Sequence, residues 1–151
     1  MKDTDILKKN ERIDQLYSQD IKIIQSPDVF SFSLDAVLLA SFAELKNSPK
    51  TKVMDLCAGN GAVGLFASQK TKGSIDQLEL QHRLADMGDR SIQLNQLGNR
   101  VKMYNLDLAD TFQKFNKDSY DYVLCNPPYF RNQTTSCLLY TSPSPRDRSL
   151  S

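Results

Sequence analysis

The residues whose types and order most directly suggest chemistry are Asn126, Pro127, Pro128 and Tyr129. They follow the apolar run 120–124, which is typical of a buried strand, and two prolines cannot continue a central strand. The strand is therefore expected to stop at a rigid turn that presents an amide oxygen, a proline carbonyl and an aromatic ring. The two oxygens can each accept one N–H of a planar amine such as that of adenine, while the tyrosine stacks on the base. The other interpretation is an ordinary strand-to-loop boundary with a buried tyrosine.

A glycine-rich turn lies upstream, between a predicted strand over 52–57 and a predicted helix. Strand, glycine turn and helix are the start of a doubly wound α/β fold. Gly59, Gly61 and Gly64 match the G-x-G-x-x-G pattern of dinucleotide sites, which is a weak signal alone. Asp55 would place negative charge close to where a pyrophosphate should lie. S-adenosylmethionine carries a sulfonium and an ammonium and no phosphate, so we favour this methyl donor over a dinucleotide.

Polar residues also end the other predicted strands, over 74–80 and 101–104. Glu79 lies 18 residues past Gly61, the distance at which such folds place a carboxylate for ribose hydroxyls. The carboxyl ends of parallel strands meet at one edge of a sheet, where open α/β sheets bind ligands. The polar residues that we expect to converge there are Asp55, Glu79, Asp107 and Asn126.

The remaining pattern predicts the elements that position these residues. Residues 6–17 read as a short amphipathic helix or an irregular lead-in, and 21–25 as a strand. A helix is predicted from an N-cap at Ser33 to near Lys46. The residues of its predicted inner stripe are Leu34, Val37, Leu38, Phe42 and Leu45. Further helices are predicted over 82–97 and, as a short helix or turn, over 110–116.

Length and composition limit the class of protein. The 151 residues have room for one domain, and a net charge of +1 indicates no global basic field for nucleic acid. Three cysteines and one histidine lack metal-ligand spacing, so no metal is expected. No run approaches the roughly 18 apolar residues of a membrane span, and the N-terminus has no secretory pattern. We therefore expect a cytoplasmic protein without a membrane partner.

Two segments together resemble the S-adenosylmethionine-dependent amino methyltransferases: 55–61 and 126–129. The Asn-Pro-Pro-Tyr signature alone is shared with DNA adenine-N6 enzymes and with release-factor glutamine methyltransferases. The runs 11–14, 23–26, 29–39 and 125–130 are similar to the bacterial tRNA1(Val) (adenine-37-N6)-methyltransferase family, and 29–39 is the run that narrows the resemblance. The similarity covers about 11–133.

The resemblance implies a Rossmann-like methyltransferase fold and methyl transfer to N6 of adenine in tRNA. The residues that it implies for the methyl donor are Phe32, Asp35, Asp55, Gly59, Gly61, Glu79, Asp107 and Asn126. The residues that it implies for catalysis are Asn126, Pro127, Pro128 and Tyr129. Two alternatives stay open: a glutamine-N5 or DNA adenine-N6 methyltransferase, and a donor-binding fragment without catalysis.

The composition changes after Ser136. Residues 137–147 are rich in serine and proline without periodicity, which predicts disorder. The same run resembles the conceptual translation of a transposon-based sequencing-library adapter. We therefore expect 1–136 to be the N-terminal part of a methyltransferase domain that lacks its last strands, and 137–151 to be a disordered, non-native tail. The other interpretation is a natural Pro/Ser-rich tail. On the first interpretation, strand 120–124 becomes an exposed sheet edge.

Overall fold

The computed structural model describes residues 2–16, 20–29 and 34–127. Its strands are β1 (Arg12–Leu16), β2 (Ile21–Gln25), β3 (Lys52–Leu56), β4 (Ser74–Glu79), β5 (Val101–Asn105) and β6 (Tyr122–Cys125). Its helices are α1 (Leu34–Phe42), α2 (Ala62–Ala67), α3 (His82–Leu94) and α4 (Thr111–Lys114). The predicted site residues Phe32, Pro128 and Tyr129, the predicted N-cap Ser33 and the predicted tail 137–151 lie outside the described residues.

Strands β3 to β6 form a parallel sheet with the order β5-β4-β3-β6. The chain winds outward from β3 through β4 to β5, and then returns to pair β6 with the free side of β3. The strand order therefore reverses between β3 and β6. In open α/β sheets such a reversal opens a crevice at the carboxyl ends of the strands. The predicted α/β class with a parallel sheet is confirmed.

Successive strand residues point to opposite sides of the sheet, so each strand contributes apolar side chains to both faces. Both faces are covered by other elements. Val53, Ile75 and Val101 are at most 1% exposed and pack with the apolar residues of α2 on one face. Met54 and Leu78 belong to a second cluster with the segment that follows β5. This arrangement of layers on the two faces is the doubly wound fold that the sequence predicts.

The N-terminal segment is a β-hairpin, so the predicted helix or irregular lead-in over 6–17 is wrong for Arg12–Leu16. β1 pairs antiparallel with β2, and Asp20 adopts φ 52° where the chain turns back. The outer edge of β2 is hydrogen-bonded by side chains of α3 and its last turn. Asn95 bonds both the N–H and the carbonyl of Lys22, and the Ser91 hydroxyl accepts the N–H of Ile24. The strand is stabilised by this distant helix, which local periodicity does not reveal.

A buried ion pair fixes the segment before the hairpin to α3. The Arg90 guanidinium donates to both carboxylate oxygens of Glu11 at 2.5 and 2.7 Å, and to the carbonyl of Ile6 at 2.9 Å. The two side chains are only 10% and 2% exposed. The Arg90 hydrogen bond lowers the pKa of Glu11, so the pair remains charged at neutral pH.

The predicted inner stripe of α1 is wrong for three residues. Leu34, Leu38 and Phe42 are 69%, 54% and 84% exposed, while Ala36 and Ala40 are buried. The physical reason is that α1 packs closely along α2, and close packing favours small residues at the contact. The predicted stripe residues that do pack against the core are Val37 and Leu45.

Helix α1 ends at Phe42, earlier than predicted. The Lys70 ammonium donates to the carbonyls of Ala40, Ser41 and Ala43 and so satisfies the last turn. Helix α3 likewise ends at Leu94, before the predicted residue 97.

Strand β6 pairs with β3 and with no other strand of the described chain. Its predicted exposure is confirmed for Val123, at 59%, but not for Leu124, which is buried.

None of the described helices is long and apolar enough to span a lipid bilayer.

The Arg90–Glu11 pair gives a stability prediction. In Arg90→Met the Glu11 carboxylate remains buried without its cation, so we expect a loss of about 3 kcal/mol in the free energy of unfolding. Urea denaturation followed by circular dichroism measures it. The matched control is Arg83→Met, since Arg83 pairs with Asp28 while both side chains are nearly half exposed. That change should cost less than about 1 kcal/mol. Equal losses in the two variants would contradict the assigned role of the buried pair.

Candidate functional site

The candidate site lies where β3 and β6 end side by side. Leu56 is the register partner of Cys125, so the turn after β3 and Asn126 begin at the same level of the sheet. The turn needs left-handed backbone at three positions, with φ of 55° at Cys57, 58° at Gly59 and 91° at Gly61. Glycine adopts such angles at no steric cost, which explains two of the three residue types.

Asp55 lies beneath the turn rather than in the crevice. Its side chain is fully buried, and Oδ2 accepts hydrogen bonds from the backbone N–H of Gly64 at 3.1 Å and from Nε2 of Gln77 at 2.9 Å. Gly64 is the third residue of α2, so the carboxyl group caps an otherwise unpaired helix N–H. Burial raises the pKa of Asp55 to about 7, against the lowering effect of these two hydrogen bonds.

Gln77 is a site-supporting residue that the sequence analysis missed. It is fully buried on β4, where its Nε2 donates to Asp55 and, at 3.1 Å, to the carbonyl of Gly61. Its side chain also fills the space over Gly64, since a Cβ at that glycine would lie 2.2 Å from Nε2. The available signal was a long polar residue inside an otherwise apolar strand, where burial requires hydrogen-bond partners.

Glu79 ends β4 and reaches the glycine turn. Oε1 accepts the N–H of Gly59 at 2.8 Å, and Oε2 accepts the N–H of Gln81 at 2.7 Å. The residue is 8% exposed, and burial raises the pKa of its carboxyl group against these backbone hydrogen bonds. Each carboxylate oxygen can accept a second hydrogen bond, so Glu79 can still receive hydroxyl groups of a ligand.

Asn60 connects the turn to the N-terminal hairpin. Its side-chain amide donates to the carbonyl of Ile24 at 3.1 Å, and the residue is 4% exposed. The turn is therefore supported from β2 as well as from β3 and β4. No local sequence signal identifies this role of Asn60, because its partner belongs to a strand 36 residues away.

The remaining candidates lie at the ends of the neighbouring strands or apart from them. Asp107 is half-buried two residues after β5 and accepts the N–H of Ala109 at 2.9 Å. Asn126 and Pro127 are half-buried directly after β6. Asp35 is exposed in the first turn of α1, and no hydrogen bond joins it to the other described candidates. The structure thus brings the predicted strand-end residues to one sheet edge and leaves Asp35 outside that set.

The chemical groups at this edge are carboxyl groups, amide oxygens and the half-buried backbone of Gly59. Such groups suit hydroxyl and amine donors, and they suit a cationic ligand better than a phosphate. The described residues contain no group of three or more histidine, cysteine or acidic side chains placed to bind a metal ion.

Comparison with known proteins gives a family match. The family model for the methyltransferase small domain matches residues 20–141. A tRNA1(Val) (adenine(37)-N6)-methyltransferase of Shewanella baltica (strain OS185) is 33% identical over 101 residues, which is 66% of this chain and 42% of that protein. The protein of the same name from Shewanella loihica is 33% identical over 103 residues, with the same coverage of 66% and 42%. The chain thus spans less than half the length of these relatives.

Solved structures share the fold. The tRNA (uracil-54, C5)-methyltransferase of Pyrococcus abyssi, in complex with S-adenosyl-L-homocysteine, superposes with a TM-score of 0.59 at 18% identity, over 81% of this chain and 29% of that chain. TYW2 of P. horikoshii, in complex with MeSAdo, superposes with a TM-score of 0.57 at 21% identity, over 69% of this chain and 39% of that chain. The predicted Rossmann-like methyltransferase fold is confirmed.

The contact between Gln77 and Gly64 predicts the sign of the change in stability that a substitution at Gly64 causes. By helix propensity alone, Gly64→Ala should stabilise α2 by about 1 kcal/mol. Because the new Cβ would meet the buried, doubly hydrogen-bonded Gln77 amide, we expect instead a loss of about 1–3 kcal/mol. Gly98→Ala is the control, since no atom lies within 4 Å of its added Cβ, and it should change stability by less than about 0.5 kcal/mol. Thermal unfolding measures both variants, and a Gly64→Ala protein more stable than the parent would refute the contact.

Proposed function

This chain belongs to the methyltransferase small domain family, and we propose that its strand-end site binds S-adenosylmethionine and serves methyl transfer to N6 of an adenine in tRNA. The target that we propose is the one named for its relatives, adenine 37 of tRNA1(Val). The observation that carries the proposal is that the glycine turn and the segment Asn126-Pro127 follow neighbouring strand ends, where Leu56 and Cys125 are register partners. Such a reaction takes place where tRNA is found, in the cytoplasm.

The environment of the glycine turn supports a methyl donor rather than a dinucleotide. A pyrophosphate at this position would need free backbone N–H groups at the start of α2. The N–H of Gly64 is already bonded to Asp55, and the N–H of Gly59 is bonded to Glu79. The Glu79 carboxylate, which is bonded to the turn itself, disfavours a phosphate and tolerates a cation.

The acidic and glycine residues have distinct roles in this proposal. Gly59 and Gly61 would line the donor. A Cβ at Gly59 would meet no atom within 4 Å, so its absence there lets the donor lie close to the backbone, whereas Gly61 has left-handed backbone and packs against Gln77. Glu79 would accept the ribose hydroxyls, while Asp107 would accept the amino group of the donor's adenine. Phe32 and Asp35 would flank the methionine end, as the family resemblance implies.

The segment after β6 would bind the target. The Asn126 amide oxygen and the Pro127 carbonyl would each accept one N–H of the target amine, and Tyr129 would stack on the base. These hydrogen bonds favour the pyramidal form of a nitrogen whose lone pair is otherwise delocalised into the ring. When bound, S-adenosylmethionine supplies an electrophilic methyl group, so in-line placement and electrostatics supply most of the rate enhancement. The target base must leave its stack to reach such a pocket.

Donor binding tests the first half of the proposal. Isothermal titration of the chain with S-adenosylmethionine should give saturable binding. Glu79→Gln should weaken it about tenfold, or about 1.4 kcal/mol, because a neutral amide is a poorer acceptor for two hydroxyl groups. Glu44→Gln makes the same chemical change at an exposed loop residue and should leave the affinity unchanged. No saturable binding by the parent chain, or equal affinities in the two variants, would count against a donor site at this edge.

Target choice is tested by methyl transfer. With labelled donor, the protein encoded by the complete reading frame should methylate unmodified tRNA1(Val) in preference to DNA or a release factor. Asn126→Ala should lower the transfer rate roughly 100-fold and affect donor affinity much less, because its amide acts on the target amine. Asn99→Ala, at an exposed turn, is the matched control. Preferred labelling of DNA or of glutamine would assign the same site to a different target.

A further inference from the structure

Two buried oxygen atoms beneath the glycine turn have no hydrogen-bond partner in the described structure: Asp55 Oδ1 and Gln77 Oε1. The two residues are register partners on the adjacent strands β3 and β4, so their side chains project from the same face side by side. They are already joined at their other ends, where Gln77 Nε2 donates to Asp55 Oδ2 at 2.9 Å. Buried polar atoms are nearly always paired, so two unpaired oxygens on bonded neighbours require an explanation.

Exchanging the oxygen and nitrogen of the Gln77 amide does not resolve the problem. Nε2 donates both to Asp55 Oδ2 and to the carbonyl of Gly61. An exchanged amide would turn its oxygen toward two acceptors and lose both hydrogen bonds. The amide orientation is therefore fixed, and Oε1 needs a donor.

We propose that Asp55 is protonated on Oδ1 in the folded chain and donates to Gln77 Oε1, so that the carboxylic acid and the amide close a ring of two hydrogen bonds. One proton, taken from solvent, then satisfies both unpaired oxygens. The ring makes Gln77 a positioning residue, because it fixes the amide that bonds Gly61 and the carboxyl group that bonds Gly64.

The charges around Asp55 favour the neutral acid. Glu79 lies on the same strand as Gln77, and its negative charge opposes ionisation of Asp55. From β6 the neighbouring titratable group is the Cys125 thiol, whose pKa is raised mainly by burial, so it adds no positive charge that would favour ionisation of Asp55. Helix α2 contributes no titratable side chain over Ala62–Ala67. No cation of the described chain stabilises the carboxylate, and burial raises the pKa of Asp55 to about 7.

A neutral Asp55 shapes the glycine turn through hydrogen bonds and does not offer a negative charge to a ligand. Where it concerns the methyl donor, this conclusion rests on the proposed function. A neutral Asp55 would leave groups other than Asp55 to attract the positive charges of S-adenosylmethionine. The proton itself depends only on the folded chain.

Carbon-13 spectra of the aspartate carboxyl groups test the proton directly. In the parent chain, the signal that disappears in Asp55→Asn should titrate with a midpoint near 7. Ordinary aspartates titrate near pH 3.9. A midpoint at or below about 4.5 for Asp55 would overturn the proposal. This measurement is made on the unsubstituted chain and uses the variant only for assignment.

Stability as a function of pH gives an independent readout. Between about pH 4 and 7 the native chain would keep a proton at Asp55 that the unfolded chain has released, so the free energy of unfolding falls as pH rises. Burial also raises the pKa of Glu79, which adds to this slope, whereas the lowered pKa values of Glu11, Asp28 and Asp86 affect stability only at lower pH. Asp55→Asn offers the same hydrogen bonds at every pH, because its amide nitrogen replaces the protonated Oδ1.

We therefore expect Asp55→Asn to match the parent only below about pH 4, where the carboxyl group is protonated in both the folded and the unfolded chain, and to be the more stable protein at pH 8. The variant should also lose most of the fall in the free energy of unfolding that the parent shows as pH rises. The control Asp89→Asn, at an exposed residue of α3, should keep the parent's slope. An Asp55→Asn protein that is less stable than the parent at pH 8, with an unchanged slope, would overturn the proposal. Neither measurement contains methyl donor, so failure of donor binding and failure of this inference are separately visible.

Discussion

The glycine turn after β3 is shaped by buried polar side chains that bond its backbone from three sides. Asp55 accepts the N–H of Gly64, and Gln77 bonds the carbonyl of Gly61. Glu79 accepts the N–H of Gly59, and Asn60 donates to β2. A turn with left-handed backbone at three positions is costly to order, and these hydrogen bonds fix it before any ligand arrives. The chemistry of the edge depends on this preorganised backbone.

The rest of the fold supports that turn. The reversal of strand order places β6 beside β3, which brings Asn126 to the same end of the sheet. The hairpin β1–β2 is bonded to α3 through Asn95, Ser91 and the Arg90–Glu11 pair, and it meets the turn through Asn60. Elements distant in sequence thus determine the shape of a five-residue loop.

The sequence predicted the parts of the fold that depend on local signals. The strand, glycine turn and helix at 52–67 and the four parallel strands were recognisable from apolar runs and turn residues. The features that depend on contacts between elements distant in sequence could not be predicted from these local signals. The strand Arg12–Leu16 forms because α3 stabilises its partner strand, and the exposure of Leu34, Leu38 and Phe42 follows from how α1 packs on α2. Gln77 and the position of Asp55 beneath the turn became visible only when β3 and β4 were placed in register.

We propose that the glycine turn after β3 and the segment after β6 form the two walls of a single binding crevice. Amide nuclear magnetic resonance spectra of the chain, recorded while S-adenosylmethionine is added, test it most directly. We expect the signals of Gly59, Gly61 and Asn126 to shift together with one binding constant, while those of Lys52 and Ser74 at the opposite edge of the sheet stay unchanged. Shifts at Gly59 and Gly61 without any at Asn126, or no saturable shifts at all, would contradict it.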